Sequence, residues 1–235
     1  MNEIQLSKRL EKVASYVRAG SSVADIGSDH AYLPVHLVSR GIARRAIAGE
    51  VNKGPLTTAI KQIKKNNLEA KIHAKLGNGL EVIEGEEVDT VTICGMGGPL
   101  ISQILEEGKG ELSNVSRLIL QPNIAADHVR RFLLNNQWEL KDESILKEDG
   151  HIYEILMAEK GKPLVAYSDD LEKELWLGPF LLKKKSPEFM EKWSKELEQL
   201  EIIYEKLNEA APTEELMDKR ESVKRKMDWL KEVLK

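Results

Sequence analysis

Cysteine and aromatic residues are scarce in this chain of 235 residues. Its single cysteine, Cys94, excludes an intramolecular disulfide and a zinc site built from several cysteines, and it fits a reducing compartment. Aromatic residues make up 5% of the sequence, too few for a platform on which the bases of single-stranded RNA would stack. We therefore expect a protein that has neither a disulfide framework nor a bound metal.

Long apolar segments and an excess of positive charge are also missing. No run of about 18 apolar residues occurs, so no segment is predicted to span a membrane. The start of the chain lacks the apolar segment of a secretion signal, which favours a cytoplasmic location. Because the formal net charge is −4, a nucleic-acid partner would have to bind a local basic patch.

Short apolar segments alternate with amphipathic ones over most of the chain. Helices are predicted from the N-terminus to Gly20 and over residues 55–66, 100–106 and 125–136, and strands over residues 22–26, 46–48, 70–76, 88–94 and 117–121. This alternation predicts an α/β protein with a mostly parallel, Rossmann-like sheet that has helices on both faces. Two last strands, at 138–146 and 151–158, leave no room for a helix between them and predict an antiparallel hairpin that closes the sheet.

The pattern changes near Gly161 to helix formers with heptad-like apolar spacing, so we expect a Rossmann-like domain over residues 1–162 and a helical domain over 163–235. Apolar stripes over 189–207 and 216–234 are separated by a break at 210–213, where Thr213 is a candidate N-cap. They predict an antiparallel coiled-coil hairpin. The stripes are interpreted as the core of the hairpin in a monomer; a surface for a partner or a second copy is the alternative.

The sharpest motif is VADIGSDHA at residues 23–31. An apolar strand brings Asp25 and then Gly27 into a tight turn at the carboxyl end of the sheet, where open α/β sheets bind ligands. Gly27 would let a ligand approach the backbone closely. A plain turn between a strand and a helix is the alternative, because Asp-x-Gly alone is a common pattern.

Three further strand ends carry similar features. Glu50, at the end of the second strand, could accept hydrogen bonds from both hydroxyls of a ribose. Asn78, in LGNGL after the third strand, could meet an adenine edge, and the glycines of ICGMGG at residues 93–98 would leave a thin floor. Each feature alone fits an ordinary turn or a solvated side chain. Their joint position at successive strand ends predicts a site for a nucleoside.

The loop after the first strand decides between cofactors. The dinucleotide pattern G-x-G-x-x-G is absent, since Asp29 and Tyr32 stand where its later glycines would be, and the phosphate-binding P-loop pattern is absent too. A carboxylate such as Asp29 would repel a pyrophosphate but is tolerated beside a cationic sulfonium. The residues therefore favour a sulfonium methyl donor over hydride or phosphoryl transfer.

The motifs DIGSDHAYLP, AGEVNKGPL, LGNGL, ICGMGG and LQPN, in this order, make the chain resemble the bacterial TrmK family. Members of that family are tRNA (adenine-N1)-methyltransferases that act on the adenosine at position 22 of the D-arm. The resemblance covers about residues 4–160, and the helical hairpin also matches the architecture of the family. It implies a class I methyltransferase fold, S-adenosyl-L-methionine as cofactor and tRNA as partner.

The resemblance also implies roles for single residues. Asp25 and Gly27 would hold the amino-acid end of the cofactor, Glu50 its ribose and Asn78 its adenine, although many methyltransferases of this class carry aspartate at the last position. Further cofactor contacts are expected from His30, Val51, Gly79, Gly95, Met96 and Gly97.

Methylation of adenine N1 leaves a cationic base unless a proton is lost, so a carboxylate near the base would stabilise the charge or accept the proton. Asp29 is the candidate for this catalytic role, and capping of the next helix is the alternative. Substrate contact is assigned to Gln121, Pro122 and Asn123 after the fifth strand, where a fixed turn is the alternative.

Contacts to tRNA phosphates require cations. The candidates are Arg44, Arg45, Lys183, Lys184, Lys185, Lys224, Arg225 and Lys226, with Arg130 and Arg131 as a further pair. A solvated surface is the alternative for each group. Two other functions stay open: methylation of a different substrate, and a non-catalytic scaffold whose coiled coil recruits a partner. An NAD-dependent oxidoreductase is a more distant one.

Overall fold

The computed structural model describes residues 5–209 and 213–235. Its strands are β1 (Ser21–Ile26), β2 (Ala43–Glu50), β3 (Ile72–Leu76), β4 (Thr90–Gly97), β5 (Arg117–Ile124), β6 (Trp138–Glu148) and β7 (His151–Lys160). Its helices are α1 (Lys8–Ser15), α2 (Tyr32–Ser39), α3 (Lys53–Lys65), α4 (Gly98–Glu107), α5 (Ala126–Asn135), α6 (Leu171–Leu177), α7 (Pro179–Lys184), α8 (Pro187–Glu209) and α9 (Glu214–Val233).

The seven strands form one sheet in the order β3-β2-β1-β4-β5-β7-β6. Strands β1 to β5 are parallel, whereas β7 runs antiparallel to both of its neighbours. This confirms the predicted parallel sheet and its closing hairpin. The strand order reverses between β1 and β4, and in open α/β sheets such a reversal opens a crevice at the carboxyl ends of the strands.

The core explains why β1 shows no regular alternation of apolar and polar residues. All six of its residues are buried, and successive side chains point to opposite faces of the sheet. Ala24 and Ile26 join the core beneath α4 and α5, while Val23 joins the core beneath α1, α2 and α3. A strand covered on both faces shows no polar alternation.

Three features differ from the pattern-based prediction. Helix α2 is not predicted. Most of its own residues are apolar and buried, so its sequence has no polar stripe that would reveal a helical period. Strand β5 continues to Ile124, so the segment from Gln121 to Asn123 lies within the strand and does not follow it. Two short helices, α6 and α7, precede the hairpin.

The helical tail has a core of its own. Phe189, Trp193 and Leu200 of α8 pack with buried apolar residues of α9, which confirms the helical hairpin. The Thr213 hydroxyl oxygen accepts a hydrogen bond from the N–H of Leu216 at 3.2 Å, which confirms the predicted N-cap. Ile203, expected in the buried stripe, is 41% exposed. No helix within residues 5–209 and 213–235 is long and apolar enough to cross a membrane.

A buried ion cluster joins the tail to the sheet. Arg130 of α5 is fully buried and pairs with Glu143 of β6 at 2.6 Å and with Glu154 of β7 at 2.5 Å. Lys192 of α8 pairs with Glu154 from the other side. Burial lowers the pKa of Arg130, but the two carboxylates outweigh it and raise that pKa overall. Arg130 is inaccessible, so the prediction that it contacts tRNA is wrong.

Candidate functional site

The loop after β1 is fastened to the end of β2. The N–H groups of Gly27 and Ser28 both donate to the carbonyl oxygen of Gly49, at 2.9 and 3.0 Å. Gly27 has a φ of +69°, and a Cβ there would collide with the terminal methyl of Met96. The backbone conformation therefore favours glycine at this position, and a larger residue would also have to displace the end of the Met96 side chain.

The same loop continues in an unusual backbone conformation. Asp29, His30 and Ala31 have φ values of 39°, 67° and 57°, in the left-handed region that side chains disfavour. This turn leaves the Asp29 side chain 82% exposed, with Oδ1 at 2.5 Å from Nδ1 of His30. Ala31 is the N-cap of α2 and the helix has no side-chain cap, so the helix-capping alternative for Asp29 is wrong.

Asp25 lies beneath this loop and is buried. The hydroxyls of Ser28 and Thr92 donate to its two carboxylate oxygens, at 2.7 and 2.6 Å. Burial raises the pKa of Asp25, and these two hydrogen bonds oppose the rise. The two hydroxyls therefore fix the Asp25 carboxylate beneath the loop, and its contact with the amino-acid end of the cofactor stays a prediction.

Glu50 is different, since part of its carboxylate lacks a partner. The side chain is buried, with 6% of the residue exposed, and its Oε1 makes no hydrogen bond. Burial raises the pKa of Glu50, while a hydrogen bond from the backbone N–H of Asp29 opposes the rise. A buried acceptor without a partner is costly, and such groups are usually satisfied by a ligand or water. The free oxygen fits a donor such as a ribose hydroxyl.

Gly49 and Val51, the residues on either side of Glu50, line a cleft of about 310 Å³, which we call the glycine-walled cleft. One side is formed by residues at strand ends and the loops after them: Ile26, Gly27, Gly49, Val51, Gly77, Asn78, Gly79 and Met96. The other is formed by four residues of α4: Leu100, Gln103, Ile104 and Glu107. A Cβ on Gly49 or Gly77 would approach Val82 to 2.8 or 2.9 Å. Glycine at both positions therefore lets the ends of β2 and β3 pack closely on the buried Val82, and it leaves this wall of the cleft without side chains.

A second cleft of about 320 Å³ lies on the other side of Met96, and we call it the polar cleft. Its walls include Arg9, Leu10, Asp25, Gly27, Ser28, Asp29, Tyr32, Leu33, Cys94, Gly95, Met96, Asn123 and Tyr153. Gly27 and Met96 line both clefts, so the two spaces meet at the loop after β1. Burial raises the pKa of the Cys94 thiol, which disfavours a nucleophilic thiolate.

Most of the predicted cofactor residues surround these two clefts. Val51, Asn78 and Gly79 line the glycine-walled cleft, and Gly95 lines the polar one. His30, Glu50 and Gly97 line neither. His30 stacks on Tyr32 with ring centroids 5.6 Å apart, Glu50 is buried between the lining residues Gly49 and Val51, and Gly97 is the N-cap of α4.

The segment assigned to substrate contact divides into buried and accessible parts. Gln121 and Pro122 are buried in β5, whereas Asn123 is exposed and lines the polar cleft. Direct contact with substrate is therefore corrected to Asn123 alone. Arg9, Tyr32 and Tyr153 line the polar cleft although they were not predicted there, and the same holds for the α4 residues of the glycine-walled cleft. Arg9 and Tyr153 come from α1 and β7, which are remote in sequence from the motif loops, and no pattern marks them.

The predicted basic groups lie in different surroundings. Arg44 and Arg45 are at the amino end of β2, the edge opposite the two clefts, and Arg45 bonds Ser22 at 2.8 Å. Lys184 pairs with Asp142 at 2.7 Å, and Lys185 bonds the Val233 carbonyl at 2.7 Å. Arg225 and Lys226 approach the rings of Trp229 and Trp176. Lys183 and Lys224 are exposed.

Metal chemistry finds no ligand set in the part of the chain that the structure describes. Within residues 5–209 and 213–235 no group of three or more His, Cys, Asp or Glu side chains is arranged to hold an ion. The two clefts are lined by carboxylates, amides, glycines and apolar side chains.

The chain matches a known protein family over most of its length. A family model, TrmK, described as tRNA (adenine(22)-N(1))-methyltransferase, matches residues 23–232. The tRNA (adenine(22)-N(1))-methyltransferase of Bacillus subtilis is 48% identical over 235 residues, which are 100% of this chain and 99% of that protein.

Two solved structures match the fold of this chain over nearly its whole length. The crystal structure of the B. subtilis enzyme has a TM-score of 0.96 and 47% identity, and the match covers 99% of this chain and 100% of the other. A Streptococcus pneumoniae protein in complex with S-adenosyl-L-methionine has a TM-score of 0.87 and 45% identity, with 98% and 100% covered.

Proposed function

Because the chain belongs to the TrmK family of tRNA (adenine(22)-N(1))-methyltransferases, we propose that it transfers a methyl group from S-adenosyl-L-methionine to N1 of adenosine 22 in the D-arm of tRNA. The observation in the site itself that carries this proposal is the free oxygen of Glu50 beside the glycine-walled cleft. A function on tRNA fits a cytoplasmic location.

The residues present fit the proposed cofactor. Glu50 would accept hydrogen bonds from the ribose hydroxyls, and the glycine walls with Asn78 and Val51 would enclose the adenine. Gly27 and Gly95 would leave room for the amino-acid end where the two clefts meet. When bound, S-adenosyl-L-methionine supplies an electrophilic methyl group on its sulfonium.

The polar cleft is the proposed place of the target adenine. N1 lies on the Watson–Crick edge, so a paired base must leave its helix before N1 can enter a cleft. Tyr32 and Tyr153 offer ring surfaces there, and holding N1 in line with the methyl group is the main catalytic requirement.

Asp29 is the proposed catalytic residue. Its exposed carboxylate lines the polar cleft on the loop shared with the glycine-walled cleft. Alkylation of N1 makes the base cationic, and the carboxylate would stabilise this charge or take a proton from the N6 amino group. The strained left-handed turn from Asp29 to Ala31 fixes where the carboxylate stands.

The tail is proposed to help hold the tRNA. Lys183, Lys184, Lys185, Lys224 and Arg225 are its exposed cations among the predicted groups. Of these, Lys184 is bonded to β6 and Lys185 to the Val233 carbonyl of α9. Contacts of this kind would make tRNA binding weaker as salt rises. The remaining predicted contacts, Arg44, Arg45 and Lys226, stay predictions.

The experiment that tests the function is methyl transfer to unmodified tRNA. The full-length protein, S-adenosyl-L-methionine and a tRNA transcript are incubated, and the digested nucleosides are analysed by mass spectrometry. We expect 1-methyladenosine, and we expect none when position 22 is changed to another base. Methylation that survives this change, or binding of the cofactor without any transfer, would refute the proposal.

A further inference from the structure

A chain of hydrogen bonds links two residues that line the polar cleft, Arg9 of α1 and Asn123 of β5, through the buried Gln121. The guanidinium Nη1 of Arg9 donates to Oε1 of Gln121, and the N–H of Gly95 donates to the same oxygen at 3.0 Å. Nε2 of Gln121 then donates to Oδ1 of Asn123 at 3.1 Å. Nδ2 of Asn123 donates to the carbonyl oxygen of Gly95 at 2.8 Å.

This chain leaves each amide only one orientation. A guanidinium and a backbone N–H can only donate, so they fix an oxygen of Gln121 at their end and turn its NH₂ group toward Asn123. The carbonyl of Gly95 can only accept, so it fixes the NH₂ group of Asn123. Both side-chain amides are therefore oriented from two sides, and Arg9 stands at the start of the chain.

Arg9 is itself held in place. It lies in the first turn of α1, where the Glu148 carboxylate accepts from the backbone N–H groups of Lys8 and Arg9, at 2.6 and 3.3 Å. Its guanidinium lies over the ring of Tyr153, 5.3 Å from the centroid. Gln121 is fully buried, so the bond from Arg9 acts inside the protein and not on a ligand.

Asn123 is the exposed end of the chain. After its two internal hydrogen bonds, one lone pair of Oδ1 and one N–H remain for a ligand. An adenine presents a donor, its N6 amino group, next to N1, whereas guanine presents an acceptor and a protonated N1 there. A carbonyl oxygen of fixed orientation at this position would accept from adenine and repel guanine.

We propose that Arg9 is a positioning residue that orients the amide of Asn123 through Gln121, so that Oδ1 of Asn123 recognises the N6 amino group of the target adenine. The inference rests on the proposed function, since it assigns the base specificity of that reaction. As N1 is alkylated, the N6 hydrogens become stronger donors, so the bond to Oδ1 strengthens in the transition state and contributes to kcat.

The test compares two tRNAs, one with adenosine and one with purine riboside at position 22. Purine riboside keeps N1 but lacks the amino group. For Asn123→Ala we expect kcat/KM on adenosine to fall about tenfold, the loss of one hydrogen bond, with kcat/KM on purine riboside unchanged. For Arg9→Met we expect a smaller fall on adenosine alone, because the N–H and carbonyl of Gly95 still hold the two amides. The double variant should lose no more than Asn123→Ala, and Arg9→Lys, which keeps a donor, should recover part of the rate.

The design also contains controls. Because each variant is compared on both tRNAs, the lower intrinsic reactivity of purine riboside cancels. Arg18→Met removes a surface arginine that pairs with Glu159 at 2.5 Å outside the cleft, and it should change neither rate. Binding of S-adenosylhomocysteine, measured by calorimetry, should be the same in all variants.

Equal losses on the two tRNAs would overturn the inference, because a general effect on the fold or on tRNA binding does not distinguish an amino group. Fully additive losses in the double variant would also overturn it. A wild-type protein that methylates neither tRNA while binding S-adenosylhomocysteine would instead refute the proposed function, and this inference with it.

Discussion

Carboxylates are buried in two regions of this molecule, and the two regions treat them differently. At the junction with the tail, Glu143 and Glu154 surround Arg130, and Lys192 completes the cluster. Next to the glycine-walled cleft, Glu50 has no cationic side chain bonded to it, and its Oε1 has no hydrogen-bond partner. The junction is complete in the protein alone, whereas the cleft becomes complete only with a ligand.

The difference shows how a structural and a functional charge can be told apart. Buried ions are tolerated when each finds a counterion and hydrogen bonds, as around Arg130. A buried carboxylate that is left short of donors lowers the stability of the empty protein, and natural proteins retain such groups mainly at functional sites. We therefore expect changes at the junction to affect folding and changes in the cleft to affect binding and turnover.

The largest effect is expected from Arg130→Met. The substitution leaves Glu143 and Glu154 buried without their shared cation, which should lower the free energy of unfolding by about 3–5 kcal/mol in urea denaturation. Arg131→Met is the matched control, because the neighbouring arginine is exposed and pairs with Glu172 at the surface. A loss equal to that of the control would show that the cluster does not stabilise the junction.

Asp29→Asn is expected to have the next largest effect and to leave folding intact. If the carboxylate stabilises the cationic base or accepts its proton, kcat should fall roughly 100-fold or more, while the affinity for S-adenosyl-L-methionine stays the same. Asp149→Asn is the control, since Asp149 is also exposed and has a left-handed φ of 49°, but lies in the β6–β7 turn. Unchanged turnover of Asp29→Asn would remove Asp29 from the mechanism.

Glu50→Gln should weaken cofactor binding by about tenfold, because a charge-assisted hydrogen bond to a ribose hydroxyl is replaced by a neutral one. Calorimetry with S-adenosylhomocysteine and with its 2′-deoxy analogue separates this cause from others. The wild type should bind the analogue more weakly, and the variant should distinguish the two ligands much less. The control is Glu87→Gln, an exposed glutamate before β4 at the opposite edge of the sheet.

The comparison also explains what could be predicted from the sequence. The strand-end side of the glycine-walled cleft was predicted, because Val51, Asn78 and the glycines stand at strand ends within short motifs, whereas the side formed by α4 was not. The polar cleft was predicted only in part. Asp29 and Asn123 lie in motifs, whereas Arg9 and Tyr153 reach the cleft through helix and strand packing that leaves no local pattern.

The ion cluster at the junction was misread for a similar reason. Arg130 stands beside Arg131, and an Arg-Arg pair on an amphipathic helix is typical of a solvated face. Only the packing of β6, β7 and α8 against α5 brings Glu143, Glu154 and Lys192 to it. In the same way, the fold class followed from alternating strands and helices, but α2 was missed because it is apolar on nearly all sides.

The smallest effect concerns the stability of the empty protein. Burial raises the pKa of Glu50 in the folded protein above 4.5, the ordinary value that applies in the unfolded chain. At a pH between the unfolded and the folded pKa, the folded protein therefore binds more protons than the unfolded chain. Stability contributed by the protonated form is therefore lost as pH rises through this window, and above it the ionised Glu50 destabilises the fold. Glu50→Gln should remove this loss and raise the free energy of unfolding at neutral pH, by about 0.5 kcal/mol.

With saturating S-adenosylhomocysteine the order should reverse, because the wild type binds the ligand more tightly and gains more stability from it. Thermal unfolding of both proteins at neutral pH, with and without the ligand, checks this crossing, and the two should converge below the ordinary glutamate pKa without ligand. If the wild type is the more stable protein in both states, Glu50 stabilises the empty cleft and the contrast with the junction fails.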